Sequence, residues 1–157
     1  MKKKNKVIDY YIYLDYSEFL VGYLIIKKDD LSELLPKISK LHHYKDIKNK
    51  KGYIHSIRKV IEKNSIDKYL LKCKIKHLKD NLSIFIEVID FIKINDNCII
   101  FASIDDNQFI SFVKLVGMIQ HKDNVIVVKE SDLEKGSIEY KLSLIIDTKL
   151  NIERLSK

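Results

Sequence analysis

Three aspartates carry the strongest chemical suggestion in this chain. Asp15 ends an apolar run, Val7-Ile8-Asp9-Tyr10-Tyr11-Ile12-Tyr13-Leu14, and opens the polar stretch Asp15-Tyr16-Ser17-Glu18. Asp105 ends a second run, Cys98-Ile99-Ile100-Phe101-Ala102-Ser103-Ile104, and Asp147 lies in an amphipathic C-terminal segment. Carboxylates gathered from strand ends and a nearby helix suit Mg²⁺ or Mn²⁺, hard cations that prefer oxygen ligands. Two such ions about 4 Å apart activate the attacking water and steady the leaving oxygen of a phosphodiester. If the two strands are parallel neighbours, Asp15 and Asp105 fall side by side, and Asp147 completes the triad from a helix beside the sheet. Each also has a plain structural alternative. Asp15 can open a turn, Asp105 and Asp106 can cap the following helix, with Asp106 the favoured cap, and Asp147 can share a solvent face with Tyr140, Ser143, Asn151 and Arg154.

Other chemistries find little support. The four glycines, Gly22, Gly52, Gly117 and Gly136, stand alone. No Gly-x-Gly-x-x-Gly or phosphate-loop motif can be written, and no Gly-x-Ser-x-Gly elbow exists. His42, His43 and His55 lack partners at metal-ligand spacing and read as surface histidines. Cys73 and Cys98 lie far apart in apolar runs and read as buried free thiols.

Charge is unevenly distributed. The chain carries a net +7. Residues 36–79 hold 14 Lys/Arg against 3 acids, residues 80–157 hold 9 against 13, and residues 1–35 hold 6 of each. A basic segment attracts polyanions through counterion release. Only Arg58 and Arg154 are arginines. Lysines suit backbone phosphates better than bidentate base recognition, so a nucleic-acid partner would be held without regard to sequence. The candidate phosphate contacts are Lys48, Lys50 and Lys51 in a lysine-rich loop, and Lys72, Lys74 and Lys76 on a strand. On that strand the lysines alternate with Leu71, Cys73 and Ile75, which equally fits a sheet edge guarded against pairing with other chains.

A length of 157 residues and 46% hydrophobic content predict one domain spanning 1–157 with a real core. No apolar run approaches the ~18 residues that would span a bilayer. The basic start, Met1-Lys2-Lys3-Lys4-Asn5-Lys6, resembles a signal-peptide opening. Asp9 and Asp15 interrupt the apolar stretch after it, however, so a cytoplasmic protein is expected.

Periodicity supplies the elements that must position the acids. Two apolar runs, the second Phe19 to Ile26, predict an N-terminal antiparallel hairpin. A helix comes next over about Pro36 to His43, and 45–51 reads as a loop. From Gly52 the residues Ile54, Ile57, Val60 and Ile61 share a helical face. After the lysine-striped strand, Asp80 caps a helix burying Leu82, Phe85, Ile86, Ile89 and Ile92. Residues 98–104, apolar on both faces, form a covered central strand. A helix then turns Phe109, Ile110, Val113 and Val116 inward, and Val125 to Val128 form a short buried strand. The last helix starts near Ser137 and buries Ile138, Leu142, Ile145 and Ile146. The alternation predicts an α/β domain with a mixed sheet flanked by helices.

The arrangement resembles the RNase H-like superfamily, and most of all an uncharacterised, archaeal-type branch. Members of that branch open with a strand ending in Asp-Glu-Ser-Gly. A mid-chain strand ends in aspartate, and the close is a strand, a serine-containing loop and a helix reading Leu-Gln-Leu-Ala-Asp. Here the first motif stands as Asp15-Tyr16-Ser17-Glu18, keeping Asp and Ser and losing Glu and Gly. The second stands as Ile104-Asp105-Asp106. The third stands as Val127-Val128-Lys129-Glu130-Ser131 with Ser143-Leu144-Ile145-Ile146-Asp147, where Leu144 replaces the glutamine and Ile146 the alanine. The resemblance implies a mixed sheet with helices on both faces and, in active members, metal-dependent cleavage of nucleic acid. It implies Asp15, Asp105 and Asp147 as metal ligands for Mg²⁺ or Mn²⁺, with Glu62 as a fourth acid from the first long helix. It also admits relatives that only bind nucleic acid or a protein partner.

Overall fold

The computed structural model describes residues 7–119 and 124–156. The strands are β1 (Tyr10–Ser17), β2 (Leu20–Lys27), β3 (Leu70–His77), β4 (Cys98–Ser103) and β5 (Val125–Lys129). The helices are α1 (Leu31–Leu34), α2 (Lys50–Lys63), α3 (Asn81–Ile94), α4 (Asp106–Gly117) and α5 (Ile138–Leu155). The sheet runs β3-β2-β1-β4-β5. β2 is antiparallel to both β1 and β3, while β4 is parallel to both β1 and β5. The chain is thus α/β with an open mixed sheet, as its periodicity predicts. No helix among the described residues is long and apolar enough to cross a membrane.

β1 is the central strand because both of its faces are apolar. Tyr11 and Tyr13 turn to one face, where they stack near Phe101. Ile12 and Leu14 turn to the other, into a second core with Ile100, Ala102 and residues of α3 and α4. Period-two alternation thus divides one strand between two cores. The Tyr13 core is covered by α5, which packs on β1 and β2 and is itself covered by α2 and the turn at 35–38. This explains why α5 buries residues on more than one side between Leu142 and Asn151, polar ones included.

Several element boundaries and faces differ from expectation. No helix spans 36–43. α1 is a single turn at 31–34 that tightens into a 3₁₀ turn at 35–38, with Pro36 at its start. α3 buries Ile84, Phe85, Val88, Phe91 and Ile92, leaving Leu82 and Ile86 exposed. This helix is apolar around most of its circumference, so its sequence offers two stripes. The one taken brings Phe85 onto Phe112 of α4, ring centroids 5.3 Å apart, and Phe91 onto Tyr10 at 5.1 Å. In α4 the same aromatic packing buries Phe112 and Val116 and exposes Ile110 and Val113. Ile138 is exposed at the start of α5, while Leu142, Ile145 and Ile146 are buried. Cys98 is buried but Cys73 is exposed, because β3 is an edge strand.

Candidate functional site

Asp15 sits inside the ladder of β1, opposite Gly22 of β2 on one side and Ser103 of β4 on the other. Alternation puts it on the face of Tyr13, toward α5. Its carboxylate Oδ1 accepts the Tyr16 N–H at 2.7 Å, the Ser103 hydroxyl also bonds to it, and the residue is 6% exposed. Gly22 is what lets α5 close on this part of the sheet. A Cβ there would stand 3.0 Å from Ile75, 3.1 Å from Leu150 and 3.2 Å from Ile146. A side chain at position 22 would hold α5, and with it Asp147, away from the sheet.

Asp147 is 7% exposed in the middle of α5. Its Oδ2 accepts the Tyr44 N–H at 2.9 Å, and its Oδ1 lies 3.9 Å from His43 Nε2. Residues 43 and 44 are therefore clipped to the helix. Arg154 reinforces the clip from the end of α5. Its guanidinium lies over the Tyr44 ring at 5.4 Å and donates to Ser17 at 3.2 Å and Asn151 at 2.9 Å. The β1–β2 turn, α5 and the 44–46 turn are locked together around one cation.

Electrostatics join Asp15 and Asp147 to a third acid, Glu130, the first residue after β5. Burial holds the Asp15 carboxyl well above the usual carboxylate range, and the charges of Glu130 and Asp147 push it further. The Tyr16 N–H and the Ser103 hydroxyl act against this. Asp147 is raised first by burial and then by Glu130, against the Tyr44 N–H, His43 and Lys45. Two buried carboxyls that both prefer to keep a proton titrate as a pair. A nearby divalent cation reverses that preference. The donor chemistry fits such a cation, since buried carboxylate oxygens are what Mg²⁺ or Mn²⁺ takes. Among the described residues no three His, Cys, Asp or Glu side chains already stand together as a ligand set.

Asp105 faces elsewhere. It is exposed beyond the end of β4, and its side chain accepts the Gln108 N–H at 2.8 Å as the N-cap of α4. Asp106, the expected cap, is instead in the first turn and pairs with Lys129. Asp105 lies near Tyr16, whose hydroxyl is pushed up to about 12, first by burial. Glu62 is exposed in the last turn of α2, well beyond Tyr53, which holds the His42 backbone. Of the expected acids, Asp15 and Asp147 are the two that are buried and interact, and the charge of Glu130 acts on both.

Most of the expected lysines are placed away from this pair. Lys72, Lys74 and Lys76 lie on the edge strand, on the sheet face covered by α3. Lys72 lies over the Phe91 ring at 5.9 Å, and Lys74 and Lys76 meet Glu87 at 3.1 and 3.4 Å. Lys50 donates to the Ile47 carbonyl at 2.8 Å and lies over Tyr44 at 5.5 Å. Lys48 and Lys51 are exposed before and within the first turn of α2.

Two adjoining cavities open where β1 and β4 end. The smaller, about 330 Å³, is lined by His43, Lys45, Ser103, Glu130, Lys135 and Tyr140, among others. The larger, about 410 Å³, includes Tyr16, Asp105, Gln108 and Lys129. Ser103 and Ser131 line both. Lys45 opens the 45–51 segment read as a lysine-rich loop, whereas sequence pattern does not single out Lys135, and His43 reads as a surface residue although its Nδ1 is buried without a partner. No family model and no curated protein matches the chain.

Proposed function

We propose that the protein is a divalent-metal-dependent nuclease of RNase H-like architecture, acting on nucleic-acid phosphodiesters at the Asp15–Asp147 site. The observation that carries this reading is the electrostatic coupling of two buried carboxylates, Asp15 on the central strand and Asp147 on the last helix, with Glu130 on the wall of the smaller cavity acting on both. The mixed sheet with helices on both faces is the architecture the resemblance implies. Burying acids beside one another costs stability unless something cationic joins them, so the arrangement is best explained by a function.

Asp15 and Asp147 would hold Mg²⁺ or Mn²⁺, with Glu130 completing the set. When bound, the ion lowers the pKa of a coordinated water and offsets charge on the phosphate. The chain's own residues prepare the site. Ser103 and the Tyr16 N–H fix Asp15, the Tyr44 N–H fixes one oxygen of Asp147, and His43 Nε2 lies 3.9 Å from the other. Arg154 keeps Tyr44 in place through its ring contact.

Incubation of the purified protein with Mn²⁺ and labelled DNA, RNA and hybrid duplex tests the reading. Cleavage that requires the metal and is lost in Asp15→Asn and Asp147→Asn is expected, together with Mn²⁺-dependent thermal stabilisation of the unsubstituted protein only. Intact substrates of all three kinds would overturn the enzyme. Nucleic-acid binding that survives EDTA and Asp15→Asn, yet vanishes at high salt, would identify a binding module instead.

A further inference from the structure

We propose that the two cavities seat consecutive nucleotides of one unpaired strand, gripped by Lys45 and Lys135, so that the substrate is single-stranded nucleic acid. The inference rests on the nuclease reading and narrows it.

The cavities are separate concave spaces of about 410 and 330 Å³ that meet along Ser103 and Ser131. Each is at the small-molecule end of the pocket scale. A duplex keeps its bases stacked inside and presents a continuous rod of phosphates, which has nothing to insert into two neighbouring hollows. A single strand turns successive bases outward and stacks them on aromatic side chains. Each hollow has such a side chain on its wall: Tyr140 in the smaller and Tyr16 in the larger. The Tyr16 hydroxyl is bonded to Asn81, which fixes that ring.

The cations distinguish the two hollows. In the larger, Lys129 is already paired with Asp106. In the smaller, neither Lys45 nor Lys135 has a carboxylate at ion-pair distance among the described residues. These two lysines come from separate segments and line the cavity that also contains Asp46 and Glu130, and the charge of Glu130 reaches Asp15 and Asp147. A phosphate entering an acidic site is repelled unless positive charge accompanies it. Lys45 and Lys135 supply that charge where it is needed, whereas Lys74 and Lys76 are committed to Glu87 on the far face of the sheet. A strand crossing Ser103 and Ser131 therefore has its phosphate beside the acids and its bases to either side.

Fluorescence anisotropy in EDTA at low salt tests this without any metal. The probes are labelled dT and rU oligomers of about eight residues, within the range one binding domain covers, and a hairpin duplex of matched charge. Single strands are expected to bind about tenfold or more tighter than the hairpin, as loss of one or two base stacks implies. The Lys45→Ala/Lys135→Ala double variant is expected to lose about tenfold for single strands, and Lys74→Ala to lose nothing. Ser131→Trp, a substitution at an exposed residue on the shared wall, is expected to block the same binding while the circular-dichroism spectrum stays unchanged. The dT and rU arms separate DNA from RNA, because the lysines recognise the phosphate common to both. Equal or tighter binding of the hairpin, or wild-type binding by the double variant, would overturn the proposal. Mn²⁺-dependent cleavage that prefers duplex would overturn it and leave the nuclease standing. Lysine-dependent binding of single strands by a protein that cleaves nothing would support it and sink the nuclease.

Discussion

Asp15 and Asp105 come after runs of similar composition on neighbouring parallel strands, yet their surroundings are opposite. Asp15 is paired through the ladder on both sides, to Gly22 and to Ser103. Its side chain has no choice of direction: the pleat turns it toward α5 and into the interior. Asp105 lies past Ser103, the last residue of β4. Free of the ladder, it turns back to cap α4. One aspartate is 6% exposed and raised in pKa by burial, and the other is on the surface. The extent of strand pairing, not residue type, separates a carboxylate held at a strained electrostatic site from one that finishes a helix.

The sharpest test of that contrast is catalytic. Asp15→Asn and Asp147→Asn are expected to lower Mn²⁺-dependent cleavage by more than about a hundredfold, beyond the loss usual for a residue that only supports a ligand. Asp105→Asn keeps a capping oxygen and is expected to change the rate by less than about twofold. Single-turnover rates of the three variants on one substrate measure the difference. Equal losses for Asp15→Asn and Asp105→Asn would break the distinction and restore Asp105 to the metal set.

Stability against pH sharpens it further. The Asp15 and Asp147 carboxyls have folded pKa values above their ordinary ones. Such a group binds more protons folded than unfolded between the two values, so metal-free stability falls as pH rises through that window. The window opens near the unfolded value of about 3.9 and extends upward to the raised folded value. Calorimetric melting in EDTA is therefore expected to show a melting temperature that declines as pH rises above the ordinary carboxylate range. Asp15→Asn should flatten the decline, and saturating Mn²⁺ should remove it. A melting temperature that climbs over the same window, with no effect of Asp15→Asn, would mean the buried pair is not under electrostatic stress.

Gly22 tests how the contrast is built. Alanine is intrinsically better than glycine in an ordered strand by roughly 0.5–1 kcal/mol. Here the added methyl meets Ile75, Leu150 and Ile146 together, at 3.0 to 3.2 Å, and overpacking a filled core costs about 1–3 kcal/mol. Three simultaneous contacts make the second effect larger. Gly22→Ala is expected to be destabilised by about 1 kcal/mol in urea unfolding and to lose activity beyond what that stability change explains, because α5 carries Asp147 away from Asp15.

The sequence made some of this legible and hid the rest for identifiable reasons. Alternation in β3 and the apolar runs of β1 and β4 expose the strands, and the order of strands and helices exposes the mixed α/β sheet. Asp15 stands out because it ends an apolar run, and Asp147 through its place in an amphipathic segment and in the motif resemblance. Glu130 does not, since it comes after β5 in an unpatterned loop and joins the pair only through the three-dimensional turn at 130–132. Lys45 and Lys135 are lost among many lysines, and only their place on the wall of the smaller cavity separates them. Lys74 and Lys76 owe their occupation to Glu87 of α3, a contact no local pattern encodes. The faces of α3 and α4 are ambiguous in sequence because both helices are rich in apolar residues, and bulky ring packing between Phe85 and Phe112 decides between stripes.

The smallest effect belongs to the exposed member of the contrasted pair. The Asp105 side chain satisfies one of the N–H groups that the first turn of α4 cannot pair internally. Asp105→Ala removes that acceptor and is expected to cost about 1 kcal/mol, read as a melting temperature lower by about 2–4 °C for a chain of this size. Asp105→Ser retains a capping oxygen and should recover most of the loss. Because the residue faces the larger cavity and not the Asp15–Asp147 pair, neither substitution should alter stabilisation by Mn²⁺. A loss of that stabilisation with no change in metal-free melting would show that Asp105 serves the metal and not the helix. Loss of melting temperature alone, rescued by serine, would show that the second aspartate's role ends at the first turn of α4.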